Sequence, residues 1–279
     1  MKIAYCSDIH LEFGDITLQN TENADVLVLA GDVCVARDLL PIMHKDANGT
    51  EMFIGYKDMR FRIRNFFKDV AGKFPQVVYI MGNHEHYNGD FSKTVEIIQQ
   101  MLIDEDIHNV NFLDKQAVDI DGVTFFGGTM WTDMHKGCPI VLQQVEYRMN
   151  DFQCVYKSDK PGRFIPEDAA KDHAEFMKAA TAAIEGKDKV VMVSHHAPTF
   201  KSINPKYAGE IIMNHAYASD LSEFILDHPQ IDMWIHGHMH HKQQYLVGET
   251  WVACNPRGYD GYEHIAAGFQ LEHLEVYTE

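Results

Sequence analysis

Short runs of apolar residues recur along the chain, separated by longer stretches in which apolar positions follow a helical spacing. The runs predict strands at 2–7, 25–30, 77–81, 110–113, 123–128, 189–194, 233–236, 251–254 and 269–277. Segments 58–72, 92–104, 166–185 and 219–227 predict helices. Ser92 and Ser219 stand where helix caps belong, and Pro166, followed by acids, suits a first helical turn. Alternating strands and helices indicate an α/β fold. No repeat, low-complexity stretch or long linker divides the chain, so 1–279 reads as a single domain. The least regular part, about 134–165, is the candidate for a cap, since specificity usually sits in loops on a rigid scaffold.

Five of the apolar runs break off into polar clusters. The run at 3–7 leads into Asp8-Ile9-His10, and that at 26–30 into Gly31-Asp32. The run at 77–81 leads into Gly82-Asn83-His84-Glu85, that at 190–194 into His195-His196, and that at 233–235 into His236-Gly237-His238-Met239-His240. In open α/β sheets, ligands bind beyond the carboxyl ends of strands. Asp8 and His10 are two apart, as are His238 and His240. In extended backbone such residues face the same way, so each pair is expected to aim two donors at one spot. The glycines beside these clusters permit tight turns and close approach of backbone.

Imidazole, carboxylate and amide donors together suit manganese, iron or zinc, whereas magnesium prefers oxygen and keeps its waters. Four His, two Asp and one Asn are too many for one tetrahedral zinc. Two divalent metals sharing a carboxylate account for the set. His84, directly after Asn83, would then lie beside the metals, where an imidazole can act as a general acid. Glu85 and Asp8 are both candidates to orient it.

The series Asp8-x-His10, Gly31-Asp32, Gly82-Asn83-His84-Glu85, His195 and Gly237-His238-x-His240 resembles the calcineurin-like metallophosphoesterase superfamily, with all five blocks in the family's order. Two further stretches, Asn255-Pro256-Arg257-Gly258-Tyr259 and Gly127-Gly128-Thr129-Met130-Trp131-Thr132-Asp133, resemble segments common in bacterial phosphohydrolases of this superfamily. The resemblance implies two facing mixed β-sheets flanked by helices, a four-layer αββα sandwich. It implies that Asp8, His10 and His240 bind a first metal, that Asp32 bridges, and that Asn83, His195 and His238 bind a second. It further implies that a hydroxide between the metals attacks phosphorus in line, and that His84 protonates the leaving oxygen or contacts the phosphate.

Composition narrows the choice of substrate. The net charge of −17 opposes wrapping a nucleic-acid backbone, which needs clustered cations, and opposes an anionic membrane surface. A small phosphorylated substrate is the expected partner, because bound divalent cations reverse the field locally. Scattered Cys6, Cys34, Cys138, Cys154 and Cys254 form no paired motif and read as reduced thiols. With no signal-peptide pattern and no long apolar run, a cytoplasmic location is expected.

Other residues carry two readings each. Arg257 can bind a phosphate oxygen or anchor a turn through Glu263. Trp131 and Asp133 can line the substrate pocket or pack and cap. His86 reads as loop or pocket rim, His196 as support behind His195, and His236 as a buried hydrogen-bonding residue. Of the remaining histidines, His173, on the helix from Pro166, is the one expected to approach the site. Hydrolysis of a small phosphodiester is slightly favoured, with a phosphomonoesterase or protein phosphatase, a nuclease, and a non-catalytic binding scaffold as alternatives. Oligomeric state is not legible.

Overall fold

The computed structural model describes residues 1–46, 48–158 and 162–277. Two mixed sheets dominate it. The first contains β1 (Lys2–Cys6), β2 (Val26–Ala30), β5 (Gln76–Ile80), β6 (Val110–Leu113) and β15 (Glu272–Glu275), in the order β15-β1-β2-β5-β6. The second contains β7 (Gln116–Ile120), β8 (Val123–Gly128), β11 (Val190–Ser194), β12 (Ile231–His236), β13 (Gln243–Val247) and β14 (Thr250–Cys254), in the order β13-β14-β12-β11-β8-β7. Inner neighbours run parallel, and β15, β7 and β13 join antiparallel at sheet edges. A separate hairpin pairs β3 (Pro41–Lys45) with β4 (Glu51–Tyr56), and a short ribbon pairs β9 (Tyr156–Lys157) with β10 (Gly162–Arg163).

Alternation along each strand builds the layers. Ile3, Tyr5, Val28, Ala30, Val78 and Ile80 meet Phe125, Val191, Val193, Met233 and Ile235 between the sheets. Alternate residues Ala4, Cys6, Leu27, Leu29, Val77 and Tyr79 face outward against a helical layer. Helix Asp58–Lys73 supplies Ile63, Phe66, Phe67 and Val70 to that layer, the i, i+3, i+4, i+7 stripe of an amphipathic helix. Helix Thr94–Asp104 adds Ile98, Met101 and Leu102. On the far side, Phe126, Met192 and Trp234 pack under Phe176, Ala180 and Ile184 of helix Pro166–Ile184. The four-layer sandwich is therefore present, with both faces of each parallel core covered. Phe125 is fully buried between the sheets, so truncating it to alanine should cost about 3–5 kcal/mol.

Boundaries differ from expectation at two helix starts. Asp90, not Ser92, caps the turn before helix Thr94–Asp104, because its carboxylate accepts from Ser92 N at 3.0 Å. Ser219 accepts from Asp133 N at 3.0 Å instead of capping, and its helix begins at Ser222. The region expected to form a cap packs with a second segment. Helix Pro139–Arg148 and the turn Asp151–Cys154 share an apolar cluster with Met213 and Ala216, which come from a separate segment after β11. Residues 159–161 of the expected cap lie outside the described residues. Among the described residues no helix is long and apolar enough to cross a membrane. All five cysteines are free.

Candidate metal centre

The polar clusters follow the carboxyl ends of β1, β2, β5, β11 and β12, and their loops are laced together by backbone. Asp8 N donates to Gly31 O at 3.0 Å, His10 N to Asp32 O at 2.9 Å, and Gly237 N to His195 O at 3.0 Å. The approach is so close that a Cβ on Gly82 would collide with the Asp32 carboxylate and stand 2.6 Å from Asp32 N. A Cβ on Gly237 would stand 2.8 Å from Ala30 O and 2.9 Å from Asp8 Oδ2.

The backbone here is not extended, contrary to expectation. Asp8, His10, Asp32, His238 and His240 all have positive φ, between 43° and 68°. Each such residue costs on the order of 1–3 kcal/mol, and residues of this kind persist where the surroundings over-determine them. The conformation also changes what the two-residue spacing does. Asp8 and His10 do gather with His240, but His238 turns away from His240 to join Asp32 and His195. One arm of the Gly237-His238-x-His240 loop thus serves each of two adjacent groups.

The seven side chains converge. His10 Nε2 lies 3.2 Å from His240 Nε2, and His240 Nε2 lies 3.4 Å from Asp8 Oδ1. Asp32 Oδ2 sits between the two groups, 3.7 Å from His10 Nε2 and 3.2 Å from His195 Nε2. Asn83 Oδ1 lies 3.0 Å from His195 Nε2 and 3.2 Å from His238 Nδ1. The second nitrogens of three imidazoles face fixed acceptors. His10 Nδ1 faces Glu12 Oε1 at 3.1 Å, His240 Nδ1 faces Glu263 Oε2 at 2.6 Å, and His195 Nδ1 faces Ala30 O at 2.9 Å. Neutral imidazoles that donate through those nitrogens present bare Nε2 lone pairs to one another and to carboxylate oxygens. Such an array is repulsive by itself and becomes favourable around cations, so the donor set fits two divalent metals. The field agrees. Burial opposes a charged His195, yet the Asp32 carboxylate overrides it and pushes the pKa up to about 10. Burial likewise opposes charge at His240, and Asp8 and Glu263 push it up to about 9.

His84 lies beside this array, its ring centroid 4.4 Å from that of His10. Its orienting partner is neither Asp8 nor Glu85. Glu12 Oε1 accepts from His84 Nδ1 at 2.9 Å, so one carboxylate oxygen holds both His84 and His10. Burial alone would raise the Glu12 pKa, but bonds from His10 and His84 bring it down to about 2. Tyr87 stacks on one face of His84 at 4.2 Å, and the Tyr259 hydroxyl lies 3.4 Å from its Nε2. Glu85 instead clamps loops. Its buried carboxylate accepts from the N–H groups of Asp32 (3.0 Å), Val33 (2.8 Å) and Gly82 (2.7 Å) and from the Tyr79 hydroxyl (2.9 Å).

A cleft of about 1040 Å³ opens above the array, with Asp32, Asn83, His84, His238 and His240 on its wall. The four residues proposed from sequence as substrate contacts do not line it. Arg257 is buried and gives its guanidinium to the carbonyls of Ile9 (2.9 Å), Gly14 (2.8 Å) and Asp15 (3.0 Å), with Asp260 at 3.1 Å. Glu263, its alternative partner, is taken by His240. Trp131 packs in the cap cluster, and His86 stacks on Phe91 with Nδ1 on Thr94 Oγ1 at 2.9 Å. Asp133 caps the next turn by accepting from His135 N. His196 lies behind His238, ring centroids 4.2 Å apart. His236 bonds Ser202 Oγ at 2.9 Å, as a buried structural histidine should, and His173 faces Met130 O away from the cleft. Glu12, Tyr259 and Glu263 were missed. Glu12 follows His10 by two residues, and Tyr259 closes the segment from which Arg257 was chosen, so both carried a signal.

Residues 1–242 match the family model for calcineurin-like phosphoesterases. This chain belongs to that family. An uncharacterised protein of Acanthamoeba polyphaga mimivirus is 24% identical over 215 residues, covering 71% of this chain and 73% of that one. Among solved structures, phosphopantetheinyl hydrolase from Mycobacterium tuberculosis shares the fold, with a TM-score of 0.64 at 14% identity over 98% of this chain and 95% of that one. The chain is accordingly a phosphoric ester hydrolase of the metal-dependent kind, with His and Asp clusters able to hold metal.

Proposed function

We propose that this protein hydrolyses small phosphodiesters with two divalent metals, of which manganese, iron and zinc suit the donors best. Asp8, His10 and His240 would hold one and Asn83, His195 and His238 the other, with Asp32 placed to serve both. The observation that carries this reading is the position of Asp32 Oδ2, within 3.7 Å of His10 Nε2 and 3.2 Å of His195 Nε2. When bound, two such ions activate a water for in-line attack and offset the charge on the phosphoryl oxygens.

The chain's own residues supply the rest. Glu12 and Glu263 fix His10 and His240 with Nε2 inward, and Ala30 O does the same for His195. Glu12 also holds His84 Nδ1, which leaves His84 Nε2 facing Tyr259 at the cleft. From there His84 donates a proton to the leaving oxygen, a contribution of roughly 10²–10⁴-fold. The preference for diesters rests on charge. Five acidic side chains line the cleft (Glu12, Asp32, Asp38, Asp151 and Glu210) beside Lys57 and Arg148. Both cations are already paired, Lys57 with Asp38 and Arg148 with Glu210. Beyond the metals, a dianionic monoester would meet no unpaired Lys or Arg on this wall among the described residues, whereas a diester carries only one charge.

The test is hydrolysis of bis-p-nitrophenyl phosphate and p-nitrophenyl phosphate by metal-stripped protein after adding back manganese, zinc, iron or magnesium. Metal-restored turnover with the diester faster supports the reading. A faster monoester would move the assignment to a phosphomonoesterase. No turnover in protein holding two metals would favour a non-catalytic scaffold.

A further inference from the structure

Beside the metal-binding array, the cleft has a second wall of different character. Tyr87, Met149, Met213 and Tyr217 line it; Met149 and Met213 belong to a buried apolar cluster, and Tyr87 and Tyr217 pack against it. This wall begins at the array, where Tyr217 packs 4.9 Å from His238 and Tyr87 lies 4.2 Å from His84, centroid to centroid. It ends at a rim where Arg148 and Glu210 pair with each other at 3.5 Å. The Tyr87 hydroxyl is engaged, reaching Asn83 Nδ2 at 3.2 Å and Asp151 Oδ2 at 3.4 Å. Asp151, beside Tyr87 on the cleft wall, is buried, and burial pushes its carboxyl pKa up, toward the uncharged form. About 1040 Å³ is far more room than a phosphoryl group needs and matches the upper range of pockets that enclose a whole organic ligand.

We infer that the substrate is an asymmetric phosphodiester with one apolar, uncharged arm, seated under the cap against Tyr87, Met149, Met213 and Tyr217. The inference rests on the phosphodiesterase reading above and adds the class of one substituent. With the phosphoryl group at the array, an arm leaving between His84 and His238 would meet Tyr87 and Tyr217, which pack on those two rings. The arm contributes binding through burial, while the array and His84 carry the reaction.

The test uses methyl alkyl phosphates (alkyl from methyl to hexyl) as competitive inhibitors of bis-p-nitrophenyl phosphate hydrolysis by the metal-loaded protein. One arm is always small, so the longer arm is free to take the apolar wall. Inhibition constants should fall roughly three- to fourfold per methylene over the first few carbons. The slope should flatten in Met213→Ser. Because Met213 also packs the cap, Ile203→Ser, on the cleft wall but outside the cap cluster, is the second variant and should flatten it too. A wild-type series with no dependence on chain length, in protein that turns over the nitrophenyl diester, would overturn this inference and leave the phosphodiesterase reading standing. So would a slope that both variants preserve. Absence of any metal-dependent turnover would sink both.

Discussion

Glu12 offers the sharpest dissection of the site, because one oxygen serves two functions. Its Oε1 accepts from His10 Nδ1 at 3.1 Å and from His84 Nδ1 at 2.9 Å, in a side chain only 17% exposed. Glu263 makes the comparison possible: it holds His240, also in the first metal's group, and has no bond to His84. Carboxylates that support a ligating histidine are typically worth about 10–100-fold in metal affinity or activity. Glu12→Gln and Glu263→Gln should therefore both weaken the first metal by roughly that factor. Their consequences diverge once metal is saturating. Glu263→Gln should then recover wild-type turnover. Glu12→Gln should not, because the charge-assisted bond to His84, about 1.5–3 kcal/mol, is still lost. The residual defect should be larger for alkyl than for nitrophenyl leaving groups. The assay is metal titration by calorimetry beside kcat for a nitrophenyl and an alkyl diester at saturating manganese. Full recovery of Glu12→Gln by metal, with an unchanged leaving-group dependence, would refute the link between Glu12 and His84.

Three further substitutions separate roles. His84→Ala should keep its metals and lose roughly 10²–10⁴-fold in kcat for poor leaving groups but much less for nitrophenyl; equal losses would exclude proton donation. Gly82→Ala forces a Cβ into Asp32, so it should lower stability by about 1–3 kcal/mol in thermal unfolding and reduce metal content, and a fully metallated variant would show that the loop yields more easily than its packing implies. Arg257→Ala leaves three carbonyls without their donor and should cost about 2–4 kcal/mol of stability with little change in KM per folded molecule; a raised KM at unchanged stability would restore the phosphate-binding role.

Much of the centre was legible because buried parallel strands read as continuous apolar runs that stop abruptly. β2 and β11 are buried at every position, and the polar residues after them stand out by contrast. Edge strands β7 and β13 were not legible, since each is largely exposed and mixes polar with apolar residues, burying fully only its last residue, Ile120 or Val247. The residues around the clustered Asp and His side chains escaped for a conformational reason. Glu12 reaches both His10 and His84 because the chain at Asp8 and His10 turns left-handed, which no two-residue periodicity anticipates. Trp131 and His86 went the other way: chemically suggestive side chains beside motifs, they are buried by the cap and by Phe91. The second segment, around Met213, has too little periodicity to declare itself.

The central claim is that Asp32 joins two metal sites into one. It is tested most directly by counting metals per chain, by elemental analysis after reconstitution with manganese or zinc, in wild type and in Asp32→Asn. The account predicts two in the wild type and fewer than two in the variant, with both sites weakened. A variant that still holds two metals, or a wild type that never takes up more than one, would contradict it.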